Sequence, residues 1–196
     1  MSALAIVPAA GKAERFGGGK LIADIDGEPL LNRTLRSLLD GGVDRLVVIL
    51  APGTTLATVQ LLNDPRVRRV VNPNPERGMF SSILIGLAAE DGDPILVLPG
   101  DMPFVKTETV TAVLHEATST GRIVSPRFGG RHGHPVAFPG SLRAEILKAD
   151  VASTLAAVLA AHHARRASID VSDPGVHRDV DAPADLASIE PPKRRT

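Results

Sequence analysis

Short apolar runs alternate along the chain with longer stretches of helical periodicity, and that alternation predicts βαβ units around a mostly parallel sheet. The apolar runs are Leu4–Pro8, Arg45–Leu50, Arg69–Val71, Ile95–Leu98, Arg122–Ser125, His134–Phe138 and Ala167–Val171. Several are apolar at consecutive positions, as a strand covered by helices on both faces requires. Between them, Pro29 suits the first turn of a helix whose Leu31, Leu35, Leu38 and Leu39 face inward until Gly41-Gly42 stops it. A second helix is expected from Gly78, with Ser81 and Ser82 in its first turn and Ile83, Leu84 and Leu87 on its buried side. Two more are expected over Thr107–Ala117 and Ser153–His162. The pattern implies one three-layer α/β/α domain over residues 1–190, followed by a frayed basic tail, Pro191–Thr196. No internal repeat or low-complexity linker marks a second domain.

Composition narrows the partners more than the fold. A chain of 196 residues buries roughly 70% of the surface its unfolded form exposes, enough for a core without staples. The absence of cysteine removes disulfides, thiolate nucleophiles and cysteine-ligated metals, and fits a cytoplasmic protein. Twenty-two basic residues balance 22 acidic ones, and Trp and Tyr are absent, which argues against nucleic acid as a partner. The N-terminal run lacks a basic region and is cut by Pro8, so no signal peptide is expected. No stretch approaches the roughly 20 apolar residues that span a bilayer, so no membrane partner is expected either.

The candidate chemistry begins after the first apolar run. In "PAAGKAERFGGGK", Gly11, Gly17, Gly18 and Gly19 let backbone N–H groups approach an anion closely. Arg15 offers a fork to phosphate oxygens and Lys20 a compact charge. The spacing matches neither the Walker loop nor the dinucleotide fingerprint, so composition alone leaves a flexible turn and a phosphate cradle equally open. Asp101 follows the apolar run Ile95–Leu98, at a strand's carboxyl end where open α/β sheets bind ligands. Its Pro-Gly-Asp-Met-Pro setting also suits an ordinary turn aspartate. Asp179 and Asp181, two apart in an extended segment, would share a face, and Asp185 falls in the first turn of a short C-terminal helix.

Taken together, Ala9-Ala10-Gly11, Arg15, Gly17, Lys20 and Gly27-Glu28-Pro29-Leu30 resemble the signature of nucleotidyltransferases with a Rossmann-like fold. More narrowly they resemble the molybdenum cofactor cytidylyltransferase and guanylyltransferase group. The likeness continues through "NPNPERGMFSSILIGL", "LVLPGDMPFV", "GGRHGHPVAF" and "RDVDAPADL", in the family's order and over residues 5–186. Such enzymes join a nucleoside monophosphate from an NTP to the phosphate of molybdopterin and release pyrophosphate. The resemblance implies the nucleotide-diphospho-sugar transferase type of sheet and a Mg2+ ion on Asp101, the principal ligand, and Asp181, with Asp179 a weaker candidate. It implies catalytic roles for Arg15, Lys20 and Asp101, the two cations on the leaving pyrophosphate.

The nucleotide would lie against Ala9, Ala10, Gly11, Arg15, Gly17, Lys20, Gly78, Met79 and Ser82. Guanylyl-transferring members carry Gly-Gly where this chain has Ala9-Ala10, and the added methyl groups favour CTP. Pro8 and Phe16 depart from the cofactor enzymes, which have Leu and Met there. His134 and Pro135 would line the acceptor side, where Arg131 or Arg127 could meet the acceptor phosphate; an exposed loop is the other reading of both arginines. A phosphate acceptor is already ionised at neutral pH, so no histidine need act as a base. Other readings are a different acceptor, GTP as donor, or a non-catalytic cofactor-binding protein that docks on a molybdoenzyme or its chaperone.

Overall fold

The structure, a computed structural model, describes residues 2–11 and 16–187; Arg15 and the tail 191–196 lie outside the described residues. Strand β1 (Leu4–Ala9) is followed by a small hairpin, β2 (Asp24–Ile25) and β3 (Glu28–Pro29), and then by helix α1 (Leu30–Asp40) and β4 (Arg45–Leu50). Next come β5 (Val67–Val71), α2 (Met79–Ala89), β6 (Ile95–Val97) and α3 (Thr107–Thr120). The chain continues through β7 (Ile123–Phe128), β8 (Arg131–His132), β9 (Val136–Phe138), α4 (Arg143–Ile146), α5 (Leu155–Ala160) and β10 (Arg166–Asp170).

The main sheet runs β10-β7-β9-β6-β1-β4-β5, with β8 paired to β7. β1 lies parallel to β4 and β6, β4 to β5, and β7 to β10, whereas β9 runs antiparallel between β6 and β7. Alternation along β1 sends Ala5, Val7 and Ala9 into one apolar layer with Leu35 and Leu38 of α1 and Val110 and Val113 of α3. Leu4 and Ile6 enter the other with Phe80 and Ile83 of α2 and Leu159 of α5. Both faces of the sheet are therefore covered, which is why β1 and β4 read as unbroken apolar runs.

The differences from the expected elements have local causes. Strand β9 starts at Val136 because Pro135 has no N–H to donate, and the His134 N–H bonds to Val176 O (2.9 Å) instead of the sheet. Strand β5 reaches back to Val67, and α3 runs to Thr120, where Gly121 in the left-handed region ends it. Helix α5 is shorter than expected, starting after Thr154, whose Oγ1 accepts the Ala157 N–H at 3.1 Å. Pro29 precedes α1 rather than entering it. The Asp26-Gly27 pair, with φ of 54° and 84°, makes the tight turn of the β2–β3 hairpin, which the sequence reading passed over. Short α4 and β8 were also not anticipated, and a 3-10 turn, Pro183–Ala187, stands where a C-terminal helix was expected.

Candidate active site

Three segments far apart in sequence meet at the carboxyl end of β1. Beyond the Lys12–Arg15 stretch, Gly17, Gly18 and Gly19 all take positive φ (74°, 95° and 67°), a path that residues with side chains rarely follow. They turn the chain into a 3-10 turn, Lys20–Ile22, that carries the Lys20 side chain inward until the residue is only 8% exposed. Its Nζ donates to Asp101 Oδ2 at 2.7 Å and to Asp181 Oδ1 at 3.1 Å.

The loop that presents Asp101 is held from three sides. Leu98 N–H donates to Ile6 O (3.2 Å) and Gly100 N–H to Pro8 O (2.9 Å), extending the contact with β1 past the end of β6. Thr34 Oγ1 donates to Gly100 O at 3.1 Å, and Val180 N–H donates to Asp101 O at 2.9 Å. A Cβ on Gly100 would stand 2.9 Å from the Ala9 Cβ, so only glycine lets the loop lie this close to β1.

Asp181 arrives on a C-terminal strap anchored by Asp173. That carboxylate is buried, and it accepts the Lys106 N–H (2.9 Å), the Thr109 hydroxyl (2.7 Å) and the Gly175 N–H (2.9 Å). It thus ties the strap to the start of α3, accepting one backbone N–H and one side-chain hydroxyl there. Val180 is fully buried with Ile25 and Leu30 next to Asp181, and Asp185 Oδ2 accepts the N–H groups of Asp181 (2.8 Å) and Ala182 (2.7 Å). Those two backbone bonds, Ala182 first, hold the Asp185 carboxyl below its ordinary pKa.

Two cavities flank this point. The first, of about 360 Å³, is lined by Ala9, Gly11, Gly18, Lys20 and Asp101, with Thr54 and Thr55 from the loop after β4 on its far wall. The second, of about 400 Å³, is mostly apolar: Met79, Ile83 and Leu155 meet His134 there, with Arg77 and Arg166 also on the lining. Burial is the largest influence on His134 and lowers its pKa. The bond to Val97 O and the charges of Asp101 and Asp179 oppose that shift, while His177 adds to it. Its Nδ1 lies 3.4 Å from Val97 O, and a carbonyl only accepts, so the neutral ring carries its proton there and leaves Nε2 as an acceptor. Around Lys20, burial opposes the charge, but the bonds to and charges of Asp101 and then Asp181 outweigh it and raise the pKa above the usual lysine value.

The residues singled out in the sequence therefore divide into groups. Ala9, Gly11, Lys20 and Asp101 share the first cavity, Asp181 reaches the same ammonium, and Gly17 begins the glycine turn. Ala10, on the other face of β1, packs with Phe80 and Ile83, while Gly78 and Met79 border the second cavity. Ser82 is not open to either: it is buried, and its hydroxyl accepts from Asn72 Nδ2 at 3.0 Å. Arg127 is paired with Asp170 (2.7 and 2.9 Å), Arg131 is exposed beyond the second cavity's lining, and Pro135 is buried beneath it. Asp179 is exposed, and its charge reaches His134. Thr54, Thr55 and the strap anchor Asp173 went unnoticed in the sequence; an Asp-Pro-Gly turn was the only local sign of the last.

Two carboxylates converging on one cation fit a hard divalent ion, which is commonly held by one or two carboxylates and substrate phosphates. Among the described residues no group of three or more His, Asp or Glu side chains could hold a metal ion by itself.

The MobA-like NTP transferase domain matches residues 5–167, which include Lys20 and Asp101. The chain belongs to the MobA-like NTP transferase family. It is a nucleotidyltransferase, as the sequence resemblance implied. One relative, a probable molybdenum cofactor guanylyltransferase of Pyrococcus horikoshii, is 27% identical over 137 residues, covering 69% of this chain and 68% of its own. A 2-C-methyl-D-erythritol 4-phosphate cytidylyltransferase of Frankia casuarinae is 39% identical over 114 residues, 56% of this chain, but the match spans only 41% of that protein. Among solved structures, a nucleotidyl transferase from Methanothermobacter thermautotroptrophicus superposes with a TM-score of 0.76 at 21% identity over 95% of this chain and 94% of its own. Rv0371C of Mycobacterium tuberculosis in complex with manganese gives 0.73 at 22% identity over 96% and 100%. Both share this fold, a mostly parallel sheet between helical layers. Asp181 lies past the matched residues, so its place in the site comes from the strap. Among the described residues no helix is long and apolar enough to cross a membrane.

Proposed function

We propose that the protein transfers CMP from CTP to the phosphate of a molybdopterin-type acceptor and releases pyrophosphate, with Mg2+ as the metal. The convergence of Lys20, Asp101 and Asp181 beside a turn of three left-handed glycines carries this reading. The Gly17–Gly19 amides cup the triphosphate, and Lys20 with Arg15 neutralises the departing pyrophosphate. Asp101 and Asp181 would hold the metal. When bound there, the ion offsets charge developing on the phosphates during in-line displacement. The acceptor phosphate attacks the α-phosphorus as its oxygen–phosphorus bond forms and the bond to the pyrophosphate oxygen breaks, with no proton to remove. Most of the rate then comes from positioning, which the clamped Asp101 loop favours.

The base lies between Ala10 and Gly78-Met79, and the acceptor takes the His134 side of the second cavity. Apolar walls, a neutral imidazole acceptor and Arg77 and Arg166 suit a flat heterocycle with N–H groups and an anionic arm. The methyl groups of Ala9 and Ala10 favour the smaller pyrimidine. GTP is the second reading, because relatives from Pyrococcus horikoshii, Haloferax mediterranei and Thermococcus sibiricus carry the name probable molybdenum cofactor guanylyltransferase. The protein acts in the cytoplasm, and a molybdoenzyme or its chaperone receives the product. Pyrophosphate release by purified protein with Mg2+ and molybdopterin, measured with CTP, GTP and ATP in turn, tests reaction, base and acceptor together. Faster turnover of CTP is expected; equal or faster turnover of GTP rejects the base, and no turnover with any nucleotide rejects the acceptor.

A further inference from the structure

The Lys20 ammonium stands where a metal ion on Asp101 and Asp181 would have to be. It donates to one oxygen of each carboxylate, and its side chain is 9% exposed, against 29% and 40% for the two aspartates. A free dication approaching from solvent therefore finds both carboxylates neutralised in part, and meets a like charge within bonding distance of each ligand. Among the described residues it also lacks a third carboxylate or imidazole to complete its coordination. A nucleotide changes both conditions. Lys20 and Asp101 line the same cavity as Gly18 and Gly19, so a triphosphate there brings oxygens for the ammonium as well as for the metal. A lysine head on a flexible four-carbon stem can turn from the carboxylates to those oxygens without movement of the backbone.

We infer that Lys20 acts as a built-in counter-ion that closes this site to free divalent ions, so that the metal enters only with the nucleotide whose phosphates draw Lys20 away. The inference rests on the reading of Asp101 and Asp181 as metal ligands. It makes the metal–nucleotide complex the true substrate and gives Lys20 a part in selecting it, apart from any role on the leaving group.

Binding of Mn2+ to the full-length chain, followed by the electron paramagnetic resonance of the free ion, tests this without turnover. Wild-type protein alone is expected to bind Mn2+ weakly, and Lys20→Met to bind it about tenfold or more tightly, a typical size for a coupling between sites. Lys20→Arg keeps the charge and is expected to behave as wild type. Adding an α,β-methylene CTP analogue should tighten Mn2+ binding to wild type. Thermal unfolding checks each fold, and Lys20→Gln replaces the Met variant if that one is unfolded. Binding to the neutral variant no tighter than to wild type overturns the counter-ion role alone. A gain that survives Asp101→Asn in the same chain puts the ion elsewhere and overturns the metal assignment as well. So does wild-type protein that takes up no Mn2+ even with the analogue.

Discussion

The two cavities that flank the convergence of Lys20, Asp101 and Asp181 are built on opposite physical terms. The first gathers charges: an ammonium and two carboxylates, carried by a glycine turn, a strand end and a C-terminal strap, satisfy one another at 2.7 and 3.1 Å. The second gathers mostly apolar surface around two imidazoles, His132 and His134, and burial pushes His134 towards its neutral form. Charges act strongly over distance but must be aimed, so the first cavity depends on the backbone bonds that hold Asp101 and Asp181. Apolar walls contribute in proportion to area and tolerate small shifts, so the second can vary its lining at lower cost. On the proposed function, chemistry resides in the first and choice of substrate in the second.

Breaking the charged side should have the largest effect. Asp101→Asn is expected to lower turnover by about a thousandfold with little change in thermal stability, since on the proposed function it removes a metal ligand and its charge. Pyrophosphate release beside a melting curve checks this, and near-normal turnover would dismantle the metal site. Next comes the anchor of the strap. Asp173→Ala leaves the Lys106 and Gly175 amides and the Thr109 hydroxyl without their acceptor, at a cost of about 2 to 4 kcal/mol in urea unfolding. An unchanged midpoint would mean that the strap is held by its packing alone.

Smaller effects belong to the apolar side. Met79 is 52% exposed on that cavity's lining, so truncation to alanine should raise KM for CTP by about three- to tenfold and leave kcat nearly unchanged. A rise confined to the acceptor would move the base away from α2. The smallest effect concerns pH. The folded pKa of His134 lies below the unfolded one, so protons bind the unfolded chain more readily. Its contribution is steady above the unfolded value of about 6.5 and turns against folding as the pH drops below that, towards the folded pKa. His134→Asn should therefore reduce the loss of urea stability between about pH 7 and pH 5.5. An identical loss in both proteins would assign the acid sensitivity to other groups.

Local chemistry marked Lys20, behind a glycine run, and Asp101, past an apolar strand, only as candidates, and the resemblance gave them their roles. Asp181 was reached only through resemblance, since nothing within "RDVDAPADL" distinguishes Asp181 from Asp179. The alternation of exposed Asp179, buried Val180 and half-buried Asp181 agrees with an extended segment, and the hydrogen bond to Lys20 marks out Asp181. The resemblance of the segment around Gly78-Met79 implied a nucleotide contact for Ser82, but a motif does not show which way a hydroxyl bonds. Asn72, ten residues earlier and fully buried, claims it.

The amino-acid pattern by itself determined the layered α/β architecture, because the periods of apolar residues are local properties of strand and helix. It also determined the family, through five segments in order. Tertiary structure alone decided that an ammonium from residue 20 would sit between carboxylates 101 and 181, and that Ala9 and Ala10 would enter different apolar layers. Those facts depend on chain closures over 81 and 161 residues. Only the packed sheet and the Asp173-anchored strap set such closures, because side chains so far apart in sequence meet at distances that no local spacing encodes.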